Sequence, residues 1–266
     1  MKFHLKVIAL AASLVASGAA NAGNVTVWGE TLGFNLNIIN NFYAGLAGHT
    51  STLASGTLDT VDLSNTDLLW ATQPADAYSA AELSSMESFL AGGGRIAFMG
   101  EHGGFSPAQN TRINTALSFL GADIVINNVV LDVGFRSASV GDGQIQAHDL
   151  TAGVNTYQYA AFAPLTISGT AEALMLGEEN FNGNPSVMMA YQNIGPGSVF
   201  LITDQNVWDN APTWGGNFDN GVMFENLLSA NTGAPPVGGN VPEPTSIALL
   251  GLGLAGLARL RRKATN

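Results

Sequence analysis

The chain has 266 residues, 46% of them hydrophobic and only 11% charged, a formal net charge of −11 and no cysteine. The missing cysteine excludes disulfide staples, thiolate metal ligands and thiol nucleophiles. The acidic balance argues against nucleic acid or anionic lipid as a partner of the body and favours tolerance or recruitment of cations.

At the amino end, Lys2 and Lys6 precede an apolar run over residues 7–16, and Ala20-Asn21-Ala22 is a small-x-small cleavage site. This is the pattern of a secretory signal helix read by the Sec export machinery, with Ala20 and Ala22 before the cut and Gly23 as the first mature residue. Between residues 23 and 240 the only cations are Arg95, Arg112 and Arg136, against nineteen carboxylates, a formal charge of −16. That stretch contains no lysine. A body of about 200 residues can bury a large core without staples, and residues 23–232 read as one domain.

Apolar, β-rich runs fall at about residues 24–28, 67–71, 95–99, 123–131, 186–191 and 198–203. Leu68-Leu69-Trp70-Ala71, Ile96-Ala97-Phe98-Met99 and Val199-Phe200-Leu201-Ile202 are continuous rather than alternating, as strands covered on both faces are, and they predict a central, largely parallel sheet. Helical spacing lies between them. Leu36, Ile39, Phe42, Tyr43 and Leu46 share one face; Ser79 and Glu82 make a capping box ahead of Leu83, Met86, Phe89 and Leu90; Ile113, Ala116, Leu117 and Leu120 precede Gly121. Gly92-Gly93-Gly94 follows a helix and precedes a strand, the reverse of a phosphate loop, and reads as a helix C-cap. Residues 127–170 lose periodicity and read as a β-rich insertion, followed by two or three strands and a last helix near residues 220–229. Residues 233–240 are a flexible linker.

The last segment is Val241-Pro242-Glu243-Pro244, an apolar run over residues 247–258, and then Arg259, Arg261, Arg262 and Lys263. Twelve to sixteen apolar residues make a helix of roughly 18–24 Å, a short transmembrane span. The cations behind it place the C-terminus in the cytoplasm and the body outside. Residues 241–263 resemble the PEP-CTERM sorting signal of Gram-negative bacteria. The resemblance implies transient anchoring in the inner membrane, recognition through Pro242, Glu243 and Pro244 by an exosortase, and release to the cell surface or the extracellular space.

A second resemblance runs over residues 24–228. A strand, Tyr78-Ser79-x-x-Glu82 opening a helix, Phe89-Leu90-Ala91-Gly92-Gly93-Gly94-Arg95, a strand ending at Gly100, and His148-Asp149-Leu150-Thr151-x-Gly153-Val154 are similar to class I glutamine amidotransferase-like domains. It implies an α/β, flavodoxin-like fold with a largely parallel sheet flanked by helices. Where amidotransferases carry a cysteine, this chain reads Gly100-Glu101-His102-Gly103-Gly104, so glutaminase chemistry is not expected.

In an open α/β sheet, ligands bind outside the carboxyl ends of the strands. Those ends lead into Glu30, Gln73, Glu101 with His102, and Asp204 with Asn206. Two readings stand side by side. The groups converge on one polar cleft, or they are ordinary strand-end residues in which Glu101 accepts backbone hydrogen bonds and His102 pairs with a carboxylate. The oxygen-rich residues 203–210 and 216–220, with Asp204, Asn206 and Asp209, suit Ca²⁺, and Trp208 or Trp214 suits a sugar ring; Asx turns and helix caps explain the same residues without a ligand. His49 and His148 read as structural, and Ser106 as the N-cap before Pro107. No G-x-S-x-G is present. The favoured function is a non-enzymatic surface or matrix protein whose body binds a small ligand, glycan or cation, with extracellular polysaccharide as a partner. The alternative is an extracellular hydrolase using Glu101 and His102 as acid and base, metal-assisted or not.

Overall fold

The computed structural model describes residues 23–29, 35–72, 74–208 and 217–229. In chain order the elements are β1 (Asn24–Trp28), α1 (Leu36–Gly45), β2 (Thr50–Ala54), β3 (Leu68–Thr72), α2 (Ala80–Ala91), β4 (Arg95–Met99), α3 (Pro107–Phe119), β5 (Ile124–Ile126) and β6 (Arg136–Ser139). There follow β7 (Thr156–Tyr159), β8 (Leu165–Ile167), β9 (Glu172–Phe181), β10 (Asn184–Ile194), β11 (Gly197–Ile202) and α4 (Asn220–Ser229). Nine strands form one sheet in the order β2-β1-β3-β4-β11-β10-β8-β5, with β9 bonded to β10 beside that path; β6 and β7 pair separately.

The fold is mixed α/β. The half from β2 to β11 is parallel throughout. Its apolar runs are continuous because alternate residues feed two cores. Leu68, Trp70, Ala97, Met99, Phe200 and Ile202 point toward α1 and α4. Leu69, Ala71, Ile96, Phe98, Val199 and Leu201 point toward α2 and α3. The α1/α4 side is aromatic: Trp208 stacks on Phe224 at 4.0 Å and meets Trp70 edge-on at 5.3 Å.

The other half differs from the parallel expectation. The run at 186–191 belongs to β10, which is antiparallel to both β11 and β9. Its turns explain this. Phe181 pairs with Asn184 across Asn182-Gly183, both at positive φ (51° and 80°), the two-residue hairpin turn that Asn-Gly adopts most readily. Of the run at 123–131 only Ile124–Ile126 is a strand, and Val129 and Val130 are exposed. Strand β2, Thr-Ser-Thr-Leu-Ala, lies at the sheet edge with a largely polar, part-exposed surface, which is why it carries little hydrophobic signal.

Helix α2 forms as its sequence predicts. Ser79 Oγ accepts the Glu82 N–H at 3.2 Å and Glu82 Oε2 accepts the Ser79 N–H at 2.9 Å. Its far end closes when Gly93, at φ 92°, sends its N–H to the Leu90 carbonyl at 2.9 Å. Leu83, Met86, Phe89 and Leu90 are buried against the sheet. Ser106 takes the N-cap position of α3 with Pro107 in the first turn, but makes no side-chain cap bond. No helix of the described residues is long and apolar enough to cross a membrane, and the apolar run 247–258 lies outside them.

Replacing Leu90 by Ala removes a 3%-exposed side chain from the α2 core and is expected to cost about 2–5 kcal/mol. Ser79→Ala is expected to cost about 1 kcal/mol, half of the capping box being lost. Denaturant melts of the two variants measure both, and equal, negligible shifts would show that α2 is not docked in this way.

Candidate functional site

The carboxyl edge of the parallel strands carries four of the residues that sequence singles out, Glu101, His102, Asp204 and Asn206. After β4 the chain turns through Gly100, Glu101 and His102, and after β11 through Thr203, Asp204 and Gln205, which opens a short 3₁₀ turn (Gln205–Trp208). Because β4 and β11 are adjacent and parallel, they deliver these turns side by side. Glu101 Oε2 accepts the Gln205 N–H at 3.0 Å, so its carboxylate reaches the residue next to Asp204.

Both carboxylates are buried, Glu101 at 1% and Asp204 at 0% exposure. The other oxygen of Glu101 accepts the His102 N–H at 2.8 Å. Asp204 accepts the Ala160 N–H at 2.6 Å with Oδ2 and the Asn206 N–H at 2.8 Å with Oδ1. A carboxylate that accepts backbone N–H groups is satisfied without a cation and fixes the chain segments that supply them. Here Asp204 joins β11 to the end of β7, and Thr203 Oγ1 adds a bond to the Ala163 carbonyl at 2.6 Å. The charge of Asp204, together with burial as the larger cause, pushes the Tyr157 hydroxyl far above its ordinary range.

His102 is the titratable side chain here that stays part-exposed, at 26%. Its Nε2 is 3.8 Å from Glu101 Oε1, a contact that would favour imidazolium, but that oxygen is already taken by a backbone amide. Desolvation prevails and holds His102 below the ordinary imidazole value. The exposed Phe105 ring stands 6.1 Å away.

One clamp escapes a search for catalytic residue types. Asn110 of α3, fully buried, accepts the Glu101 N–H at 3.0 Å and donates to the Glu101 carbonyl at 2.6 Å and to Asn128 Oδ1 at 2.9 Å. Its signal is a polar residue on an apolar stripe, since 110, 113 and 117 share one helical face. The segment after β5 then closes over the turn: Gly103 donates to the Val129 carbonyl at 2.9 Å, and a Cβ on Gly103 would lie 2.2 Å from the Asn128 carbonyl carbon.

The remaining candidates sit apart or outside. In the strand order, direction reverses between β1 and β3, the place where open α/β sheets form their crevice. The residues that follow these strands, Glu30 and Gln73, lie outside the described residues, as do Asp209, the Pro242-Glu243-Pro244 motif, and Ala20 and Ala22. Of the oxygen-rich stretch read for Ca²⁺, Asp219 accepts the Asn155 and Thr156 N–H groups at 2.8 and 3.1 Å, and Asn220 pairs with both backbone groups of Gln158. Among the described residues no three His, Asp or Glu side chains are grouped to hold a metal ion. His49 and His148 each use Nδ1 to accept a backbone N–H, from Gly23 and Leu150 respectively. Two surface depressions lie elsewhere, one of about 410 Å³ beside α2 at Val61, Ser85 and Phe89, another of about 630 Å³ at Asp142, Gln144 and Glu178.

The family model "PEP-CTERM protein-sorting motif" matches residues 240–263. No protein of curated function matches the chain in sequence. Among solved structures, the chain is similar to the mmIFT52 N-terminal domain, at 15% identity and a TM-score of 0.61 over 78% of this chain and 98% of that one. It is also similar to the cytoplasmic protein STM3548 from Salmonella typhimurium, at 11% identity and a TM-score of 0.52 over 77% of this chain and 97% of that one. A third likeness is to the β-galactosidase from Bacillus circulans sp. alkalophilus, at 14% identity and a TM-score of 0.52, over 80% of this chain but only 32% of the enzyme. At these identities the likeness is one of fold.

Two measurements check the site. Glu101→Gln leaves one backbone N–H without its acceptor and is expected to lower stability by about 1.5–3 kcal/mol in a denaturant melt. His102 should titrate below the free-imidazole value of about 6.5 when followed by NMR. As pH falls from there through its folded value, the unfolded chain takes up the proton first, so stability declines over that window. His102→Gln should flatten that slope; a wild-type slope that survives the substitution would assign it to another group.

Proposed function

We propose that this chain is an exported, exosortase-sorted surface or matrix protein of a Gram-negative bacterium, and that its α/β body works without catalysis. The sorting motif at residues 240–263 carries the first half of this reading. A signal-peptide pattern at the other end agrees with it, since a C-terminal tail of this kind acts only on a body already delivered across the inner membrane. Sec export and exosortase recognition through Pro242, Glu243 and Pro244 are the implied partners.

The second half rests on the use of the strand-end carboxylates. Acid/base catalysis needs a carboxyl group within reach of a substrate proton. Glu101 is 1% exposed and both its oxygens accept backbone N–H groups. The hydrolase alternative would have to break those bonds before it could begin. The parallel order with a glycine-flanked turn after β4 supports descent from a flavodoxin-like, amidotransferase-like frame, in which Glu101 stands at the turn that carries cysteine in the active enzymes. Ligand contact at this edge would then fall to the part-exposed His102 and Asn206 and to Phe105, groups that suit a neutral or cationic ligand such as a glycan.

The intact mass of the native protein, isolated from a host that carries an exosortase, tests the reading. The expected species begins at Gly23 and lacks residues 247–263. Recovery of the complete C-terminal segment from mature, surface-located protein would sink the sorting half.

A further inference from the structure

The amino end of the body is built into the fold. Gly23 is buried, its N–H donates to His49 Nδ1 at 3.0 Å, and its carbonyl accepts the Thr50 N–H at 3.0 Å. One residue on, Asn24 donates to Asp67 Oδ2 at 2.7 Å and accepts the Asp67 N–H at 2.8 Å. An imidazole nitrogen and a carboxylate thus flank the first rung of the sheet, held there by the segments that lead into β2 and β3. Gly23 also packs against the last helix: a Cβ at this position would lie 2.9 Å from Leu228 Cδ2 and 3.1 Å from His49 Nδ1. Glycine is the residue that fits without displacing either side chain, and it is the residue that follows the small-x-small cleavage site.

We propose that the α-ammonium group released by cleavage of the Ala22–Gly23 bond is a seated structural element, received by His49 Nδ1 and the Asp67 carboxylate. The proposal rests on the export reading above. Hydrolysis adds water across the peptide C–N bond, hydroxyl to the Ala22 carbonyl and hydrogen to the Gly23 nitrogen, which takes one further proton from solvent. The product carries three N–H donors and a positive charge where the precursor amide has one donor and none. One donor continues the bond to His49. The others arise one residue from a half-buried carboxylate that desolvation holds above the ordinary range, against the opposing pull of the Asn24 amide and His49. A cation placed there favours the carboxylate and offsets the cost of its burial. Maturation therefore adds a charge-assisted contact with Asp67 to the bonds that the uncleaved chain already makes through Gly23 and Asn24.

The lysine-free composition makes the test specific, because the Gly23 amine is the single primary amine between residues 23 and 240. The complete chain is expressed with its signal peptide, the exported protein is purified, and its first residue is fixed by mass. The folded protein and the same protein in urea are then treated at neutral pH with acetic acid N-hydroxysuccinimide ester, and acetylation of the N-terminal peptide is followed by mass. Acetylation is expected to be about tenfold or more slower in the folded protein, as for a group exposed only by local opening. His49→Gln and Asp67→Asn should each raise the folded rate toward the urea rate. If His49→Gln does not fold, the isosteric Asp67→Asn carries the comparison. A first residue other than Gly23 overturns the cleavage reading and the seat with it. A protein that begins at Gly23 but is acetylated equally fast folded and unfolded overturns the seat alone and leaves the export reading standing.

Discussion

Buried charge in this protein is held by the backbone. The acidic side chains buried among the described residues are Glu82, Glu101, Asp132 and Asp204. Each accepts hydrogen bonds from two places in the chain. Glu82 joins the start of α2 to Leu58; Glu101 joins its own turn to Gln205; Asp204 joins Asn206 to Ala160. Asp132 accepts the N–H groups of Glu178 and Glu179 on β9 and the Tyr159 hydroxyl. Hydrogen bonds to a charged acceptor contribute about 1.5–3 kcal/mol each, and a buried carboxylate deprived of them is costly, so these four points fix register and loop path together. A body with three arginines and nineteen carboxylates has few cations to offer its interior, and amides take their place. Arg95, the buried cation among the described residues, donates to Ser198 Oγ at 3.0 Å and to the Leu227 carbonyl in the last turn of α4, where a positive charge also complements the helix dipole.

This arrangement decides what the strand ends can do. Parallel strands bring polar residues from distant sequence to one edge, which is why that edge hosts ligands in so many α/β folds. Here, among the described residues, the same convergence turns two carboxylates inward. Asn110 seats the Glu101 backbone, Glu101 seats Gln205, and Asp204 seats the chain after β7, so both carboxylates face inward. Asp132 does comparable work at the far side, where it occupies N–H groups of β9 that would otherwise lie open on an edge strand.

Much of this order is legible in the residues. Continuous apolar runs announce the two-faced strands, and Ser79 with Glu82 announces α2, because these signals are local and strong. Strand β2 is quiet because an edge strand of Thr and Ser buries little apolar surface. The antiparallel half needs a signal of another kind, the Asn182-Gly183 dipeptide, since periodicity cannot tell a parallel strand from an antiparallel one when both faces are covered. The roles of Glu101 and Asp204 are not separable from sequence at all: a carboxylate after a central strand reads alike whether it faces a cleft or its own backbone. Only the partners decide, and Gln205 and Ala160 become partners through contacts 104 and 44 residues away.

The topology also fits delivery by a tail. Strand β11 sits between β4 and β10 at the middle of the sheet, yet arrives about 100 residues after β4, and α4 follows it to complete the aromatic core. The body therefore closes only once residues near 229 are available to it. Seventeen residues separate Ser229 from the apolar run that starts at 247. Fully extended they span at most about 60 Å. A body of this size has a radius of gyration of about 17 Å. That reach would leave room for β11 and α4 to find their places with the tail held in a membrane, as the sorting motif at residues 240–263 implies.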